Sequence, residues 1–190
     1  MSEQLNRAIE QLNSIILTEG INPKKGLPQE LFLFATTLIL CPNVDLFITD
    51  NKNRVLLTWR DDPFYGQGWH IPGGCIRLGE TCENRIQETA KKEIGTEVIV
   101  DMNHVITREL IISENRPMLQ NQLERSHNIL ILYHCELPVG FEIRNNSSDE
   151  HSSGYLKWFD RIPDDFLNVH KMIYGEIMES FFIGELKWKM

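Results

Sequence analysis

The stretch PGGCIRLGETCENRIQETAKKEIG, Pro72 to Gly95, holds the residue types of a cation and phosphate site: paired glycines at 73 and 74, Glu80, and Glu93 two places before Gly95. Glycine lets the backbone approach a ligand and turn a carbonyl towards a cation. A hard cation such as magnesium takes oxygen ligands and leaves room for water and phosphate. The spacing therefore suits a loop and a helix that hold a metal against a diphosphate.

Those residues need a strand to enter from and a helix to present the acids. WHI before Pro72 reads as a short strand. From Gly79 to Ile94 the pattern is helical, with Cys82, Ile86 and Ala90 on one face and Gly95 as the stop. Upstream, VDLFITD, NKN and RVLLTWR read as strand, tight turn and strand. Strand-like runs follow at 97–100, 104–112, 127–136 and 154–159, and a last helix at roughly 164–180. The loop 113–125 between two strands has the length of a lid or binding loop.

At the N-terminus, Leu5, Ile9, Leu12 and Ile16 recur at three- and four-residue steps, so residues 3–18 read as an amphipathic helix. GINPKKGLP breaks it, and a second helix runs from Pro28 to about Leu40, with LFLFATTLILC as a core helix. Strands on both sides of one central helix, with helices at each end, describe an α+β fold, an α/β/α sandwich. The division expected is an N-terminal helical extension, residues 1–40, and a main domain, residues 41–190.

With 190 residues and a formal charge of −8, the chain has no basic run, which argues against a duplex nucleic-acid surface. An anionic substrate must then be held by a few local arginines and a metal. Cys41, Cys75, Cys82 and Cys135 have no CxxC spacing and read as reduced thiols of a cytoplasmic protein. The start lacks a signal-peptide layout, and the most apolar run is too short to span a bilayer. The extra apolar faces of the N-terminal helices point to a homodimer.

At Gly74, Glu80, Glu93 and Gly95 the chain resembles the Nudix hydrolases, whose signature runs Gly, five residues, Glu, seven residues, Arg-Glu, an aliphatic, any residue, Glu-Glu, any residue, Gly. In place of the family's Arg stands Glu88, in place of the next Glu stands Thr89, and in place of the penultimate Glu stands Lys92. Glu88 and Lys92, at i and i+4, are expected to pair on the helix surface. The resemblance implies a Nudix-type sandwich with a mixed sheet, a Mg2+ or Mn2+ cofactor and a small-molecule nucleotide substrate. One metal would be held by the Gly73 carbonyl and Glu93.

The GDP-mannose mannosyl hydrolases, a Nudix subgroup, are similar from Val44-Asp45 through Arg60 to Trp69-His70-Ile71-Pro72-Gly73-Gly74, and again at SDEHSSGYLKWF. The subgroup's arginine after the glycine pair is Cys75 here, with Arg77 two residues on. That likeness implies substrate roles for Asp45 and Arg60, a metal ligand at Glu150 and a general base at His151.

Residue chemistry alone leaves several of these readings open. Glu93 near a helix C-terminus is disfavoured by the helix dipole, which argues for a metal partner over a solvated carboxylate. Glu80 reads equally as a helix cap or a direct participant. His151 suits base work near neutral pH, though a loop histidine is also content in solvent. Arg60 either forks onto phosphate or pairs with Asp61 or Asp62, and Arg77 is a second phosphate candidate. His70 and Trp69 read as packed, His127 as a surface histidine, and Phe64 or Tyr65 as a stacking surface for a base.

The reaction expected is hydrolysis of a nucleoside diphosphate derivative, a nucleotide sugar attacked at the anomeric carbon. One alternative is cleavage between phosphorus atoms, with Glu109, Glu114 or Glu124 supplying further ligands. The other is a non-catalytic nucleotide-binding module.

Overall fold

Along Val44 to Thr49 every second side chain faces the same way, as strand geometry requires. Val44, Leu46 and Ile48 enter one apolar cluster with Ile86 and Ala90, while Phe47 enters another with Tyr174, Ile177 and Met178. A sheet buried on both faces between two helices follows from that alternation. The computed structural model describes residues 2–63, 65–111 and 127–188. The loop expected at 113–125, with Glu114 and Glu124, and the stacking candidate Phe64 lie outside the described residues.

The elements in chain order are α1 (Glu3–Thr18), a 3-10 turn (Pro23–Lys25), α2 (Gln29–Leu38), β1 (Cys41–Thr49), β2 (Val55–Asp62), β3 (Gly66–His70), β4 (Gly73–Cys75), α3 (Cys82–Glu93), β5 (Ile99–Ile111), β6 (His127–Glu136), β7 (Leu156–Phe159) and α4 (Asn168–Phe182). The strands form one mixed sheet ordered β3-β2-β1-β6-β5, with β4 added to β1 and β7 to β2. β1 runs parallel to β6 and antiparallel to β4. The expected α/β/α sandwich is observed: α3 covers one face and α4 the other.

One irregularity in this sheet makes the site. β1 and β2 pair only at the turn between them, at Thr49 and Val55. Beyond that point β1 takes β4 as its neighbour and β2 takes β7. The turn itself is tied by Asp50, whose carboxylate accepts from the Lys52 and Arg54 backbones and pairs with the Arg54 guanidinium at 2.6 Å. Asn53 takes the positive φ of 57° that the turn requires.

The N-terminal helices depart from expectation. LFLFATTLILC is not a core helix: α2 ends at Leu38 and buries only Leu33, Ile39 and Leu40 stay exposed, and Cys41 already begins β1. α1, capped by Ser2, buries no residue at all. Of its apolar stripe, Leu5 and Ile9 are exposed while Leu12 and Ile16 are half-buried. No described helix is long and apolar enough to cross a membrane.

Ile86 is fully buried between α3 and the sheet. Ile86→Ala should lower unfolding free energy by about 3 kcal/mol, read from the urea midpoint, because the lost methyls leave a cavity that a strand-backed helix cannot collapse.

Candidate active site

Gly73 and Asp45 sit opposite each other on β4 and β1, and Gly74 faces Val44. The two glycines consequently serve opposite faces of the sheet. A methyl group at Gly73 would overlap the Asp45 carboxylate, and one at Gly74 would lie 2.8 Å from Thr89 Oγ1 on α3. Only glycine fits at either position, for different neighbours.

Asp45 is 6% exposed in the middle of β1. Its Oδ2 accepts a short hydrogen bond from the Tyr174 hydroxyl on α4. Burial pushes its pKa up to about 7, against the opposing pull of the Tyr174 hydrogen bond and the Arg60 charge.

Glu93 ends α3, a helix capped by Thr81 at the start and closed by Gly95 at φ 88°. Its Oε2 is buried and has no hydrogen-bond partner among the described residues. Burial raises its pKa to about 7; Arg60 and Lys92 lower it, Asp45 raises it by like charge, and the Gly73 amide donates to it. The two buried carboxyls thus feel each other across Gly73.

Arg60, on β2, is the cation common to this neighbourhood. It pairs with Asp62 at 3.0 Å, lies 5.0 Å from the Tyr65 ring centre, and its charge reaches Asp45, Glu93, His70 and His170. Both histidines are held neutral, chiefly by burial and then by Arg60. For His170 the pKa falls to about 3. His70 donates from Nδ1 to the Ile71 carbonyl at 2.8 Å, and His170 Nδ1 accepts from the Ile71 amide at 3.4 Å. His70 is packed as expected, and it also borders the cleft.

That cleft, about 560 Å³, is bounded by Arg60 and His70 on the sheet, Lys92 and Glu93 on α3, and residues 144–147 and 152–156. Asn145 ties those two stretches together by clamping Leu156 through both backbone groups, at 2.8 and 3.0 Å. Ser152 bonds Ser147, and Asp149 accepts from the His151 amide. His151 stacks on Trp59 with ring centres 4.4 Å apart, and its Nε2 lies 3.9 Å from Asp165. Its side chain is 64% exposed, and it is not among the residues that line the cleft.

Sequence-selected residues fall into two groups. Asp45, Arg60, Gly73 and Glu93 come together. Glu150 instead meets Lys157 at 2.5 Å, and Arg77 lies in a separate depression of about 480 Å³ with Lys24 and Lys91. Among the described residues no three His, Cys, Asp or Glu side chains form a ready-made metal cage. Glu80 accepts from the Arg77 amide and approaches Arg85 at 3.7 Å. Glu109 is engaged by His127 at 2.9 Å.

The expected Glu88–Lys92 pair is not what forms. Lys91 takes Glu88 at 3.8 Å and Glu97 at 2.8 Å, and Lys92 borders the cleft. A one-residue step turns a helical side chain by about 100°, which separates a surface partner from a cleft wall. Arg85 was missed as well: it is 5% exposed, and its Nε donates to Thr89 Oγ1 at 3.2 Å. Its i, i+4 spacing to Thr89 and i, i+8 spacing to Glu93 was the available signal. Tyr174 and His170 had no signal beyond a polar pair on an apolar helix.

The donor set fits a divalent cation. An unpartnered buried carboxylate oxygen, a second carboxylate beside it and a glycine backbone leave one metal with room for several waters. A family model described as the NUDIX domain matches residues 40–168. Among solved structures, a MutT Nudix hydrolase from Burkholderia pseudomallei has TM-score 0.51 and 19% identity over 70% of this chain and 95% of that one. A MutT protein from Methanosarcina mazei has TM-score 0.54 and 15% identity over 78% and 96%. At such identities the likeness is one of fold. No curated protein matches the chain.

Both raised carboxyls bind protons more tightly in the folded than in the unfolded state, so without metal the fold should lose stability as pH rises from about 4 to about 7. In chelator, the urea midpoint should fall across that window. Glu93→Gln should flatten the fall and abolish magnesium affinity while leaving the circular dichroism spectrum unchanged.

Proposed function

The chain belongs to the Nudix family of hydrolases, and from that premise we propose that it hydrolyses a nucleoside diphosphate derivative, a nucleotide sugar, with the aid of one divalent cation. The observation that carries this reading is the buried, unpartnered Glu93 Oε2 beside Asp45 and Gly73, at a cleft walled by Arg60 and Lys92.

Glu93 and the Gly73 backbone, with Asp45 beside them, would hold Mg2+ or Mn2+, which when bound neutralises a departing diphosphate. Glu150 would complete the set by giving up Lys157. Arg60, Lys92 and Arg144 present positive charge to the phosphates in a chain whose net charge is otherwise negative. Arg77, in the other depression, has no part in this arrangement. Trp59 and Tyr65 offer ring surfaces near Arg60.

With Thr89 and Lys92 at two of the signature's acid positions, the helix offers one carboxylate where attack at phosphorus calls for several cation ligands. Attack by water at the sugar carbon asks less, because the diphosphate is then the leaving group. His151 would accept the water proton on its imidazole, with Asp165 3.9 Å from its Nε2. The family's commoner reaction, cleavage between phosphorus atoms, is the second reading, and the conventional fold favours it.

Turnover of nucleotide sugars in oxygen-18 water should place the label in the released sugar and leave the nucleoside diphosphate unlabelled. His151→Ala should slow that turnover about a hundredfold or more without equal loss of metal affinity. Label in a nucleoside monophosphate or sugar phosphate would show attack at phosphorus instead. No turnover of any nucleotide in the presence of metal would leave only a binding module.

A homodimer is part of the same proposal. α1 exposes Leu5, Ile9, Ile15 and Leu17, α2 exposes Leu38 at its end, and Ile39 and Leu40 follow it exposed. A second copy would cover them. Sedimentation at micromolar concentration should give twice the chain mass, and removal of residues 1–20 should give a monomer; a monomeric full chain would exclude it.

A further inference from the structure

The geometry points to Cys41 and Cys75 as a redox-active thiol pair that closes into a disulfide in the native fold when a peroxide or another two-electron thiol oxidant is present. Their sulfurs are 2.8 Å apart, roughly 0.8 Å beyond a disulfide bond length of about 2.05 Å. The strand register explains the approach. Cys75 is directly opposite Asn43, and Cys41 is two residues before Asn43 on the same face of β1. Cross-strand diagonal neighbours of this kind are within side-chain reach.

The hydrogen bonds assign the protons. The Cys75 thiol donates to Asn43 Oδ1 at 2.9 Å, so the proton between the two sulfurs is supplied by Cys41. Asn43 is itself fixed by donating to the Cys41 carbonyl at 3.1 Å and to Asn128 on β6 at 3.4 Å. Cys41 is buried and Cys75 is partly exposed, which makes Cys75 the sulfur an oxidant reaches first.

With hydrogen peroxide, Cys75 sulfur attacks oxygen, the S–O bond forms, the O–O bond breaks and one water leaves, giving a sulfenic acid. Cys41 sulfur then attacks Cys75 sulfur, the S–S bond forms, the S–O bond breaks and a second water leaves. Two thiols supply two electrons and two protons, and one peroxide is reduced to two waters. The bond ties β1 to β4 two residues from Gly73 and four from Asp45, at the root of the glycine loop. A composition without paired-cysteine spacing gave no hint of it, because the two lie 34 residues apart and meet through strand pairing.

The folded full-length chain, treated with equimolar hydrogen peroxide, should lose about 2 Da and fall from four titratable thiols to two. Peptide mapping should find the Cys41–Cys75 link, and dithiothreitol should reverse it. Thermal unfolding of the oxidised form should move upward, as expected for a crosslink that fits native geometry. Cys75→Ser, which keeps a donor for Asn43, and Cys41→Ser should each abolish the link, whereas Cys82→Ser should not. A link that forms only in urea, Cys75 driven to sulfinic acid without a link, or a lowered unfolding temperature on oxidation would each overturn the proposal. The wild-type mapping decides it even where a serine variant fails to fold.

Discussion

Asp45 and Gly73 face one another across β1 and β4, and the space between them exists only because residue 73 carries no side chain. A carboxylate in the middle of a buried strand is costly unless something answers its charge. Here the partial answer comes from two sides, a Tyr174 hydroxyl from α4 and the Arg60 charge from β2. The gap at Gly73 makes room for that carboxylate on the α4 side, while Glu93 arrives from α3 and feels its charge. A side chain at residue 73 would collide with the Asp45 carboxylate and displace it.

The inner face of α3 shows how the helix remains anchored with few acids. Arg85, Thr89 and Glu93 recur at four-residue steps and so share one stripe. Arg85 holds Glu80 at the helix start and Thr89 midway, and Thr89 closes on Gly74. The stripe thus fixes the glycine loop with one buried guanidinium and one hydroxyl, leaving Glu93 alone to meet the cleft. Lys92 beside it makes the wall cationic, which favours an anionic ligand while reducing the charge available for a second metal.

The sandwich was legible because its signals are periodic: alternation in β1 and β2, the Cys82, Ile86 and Ala90 face of α3, and the Gly95 stop. The glycine pair and Glu93 stood out by residue type and spacing, whereas Asp45 and Arg60 were singled out through the resemblance to a family subgroup. Helical side chains one position apart were not. Lys91 and Lys92 are the same residue in adjacent places, yet one pairs on the surface and the other lines the cleft. Tertiary pairings such as Asp45 with Tyr174, 129 residues apart, and Cys41 with Cys75 leave no local trace. LFLFATTLILC misled for a related reason, since apolar content says that a face needs covering and not that this chain covers it.

Two carboxyls raised to about 7 stand beside Arg60 and Lys92, whose charges do not offset the cost of burying them. Each acid is raised mainly by burial, and Asp45 raises Glu93 further. A divalent cation placed against Glu93 Oε2 would relieve both terms at once, because it replaces lost hydration and cancels the repulsion. The neutral histidines behind the site sharpen this need. His70 and His170 are kept uncharged by burial and by Arg60, so they add no positive charge of their own. In the proposed reading, burial disfavours the charged form of both acids, and a cation from solution, admitted beside the Gly73 gap, would restore it.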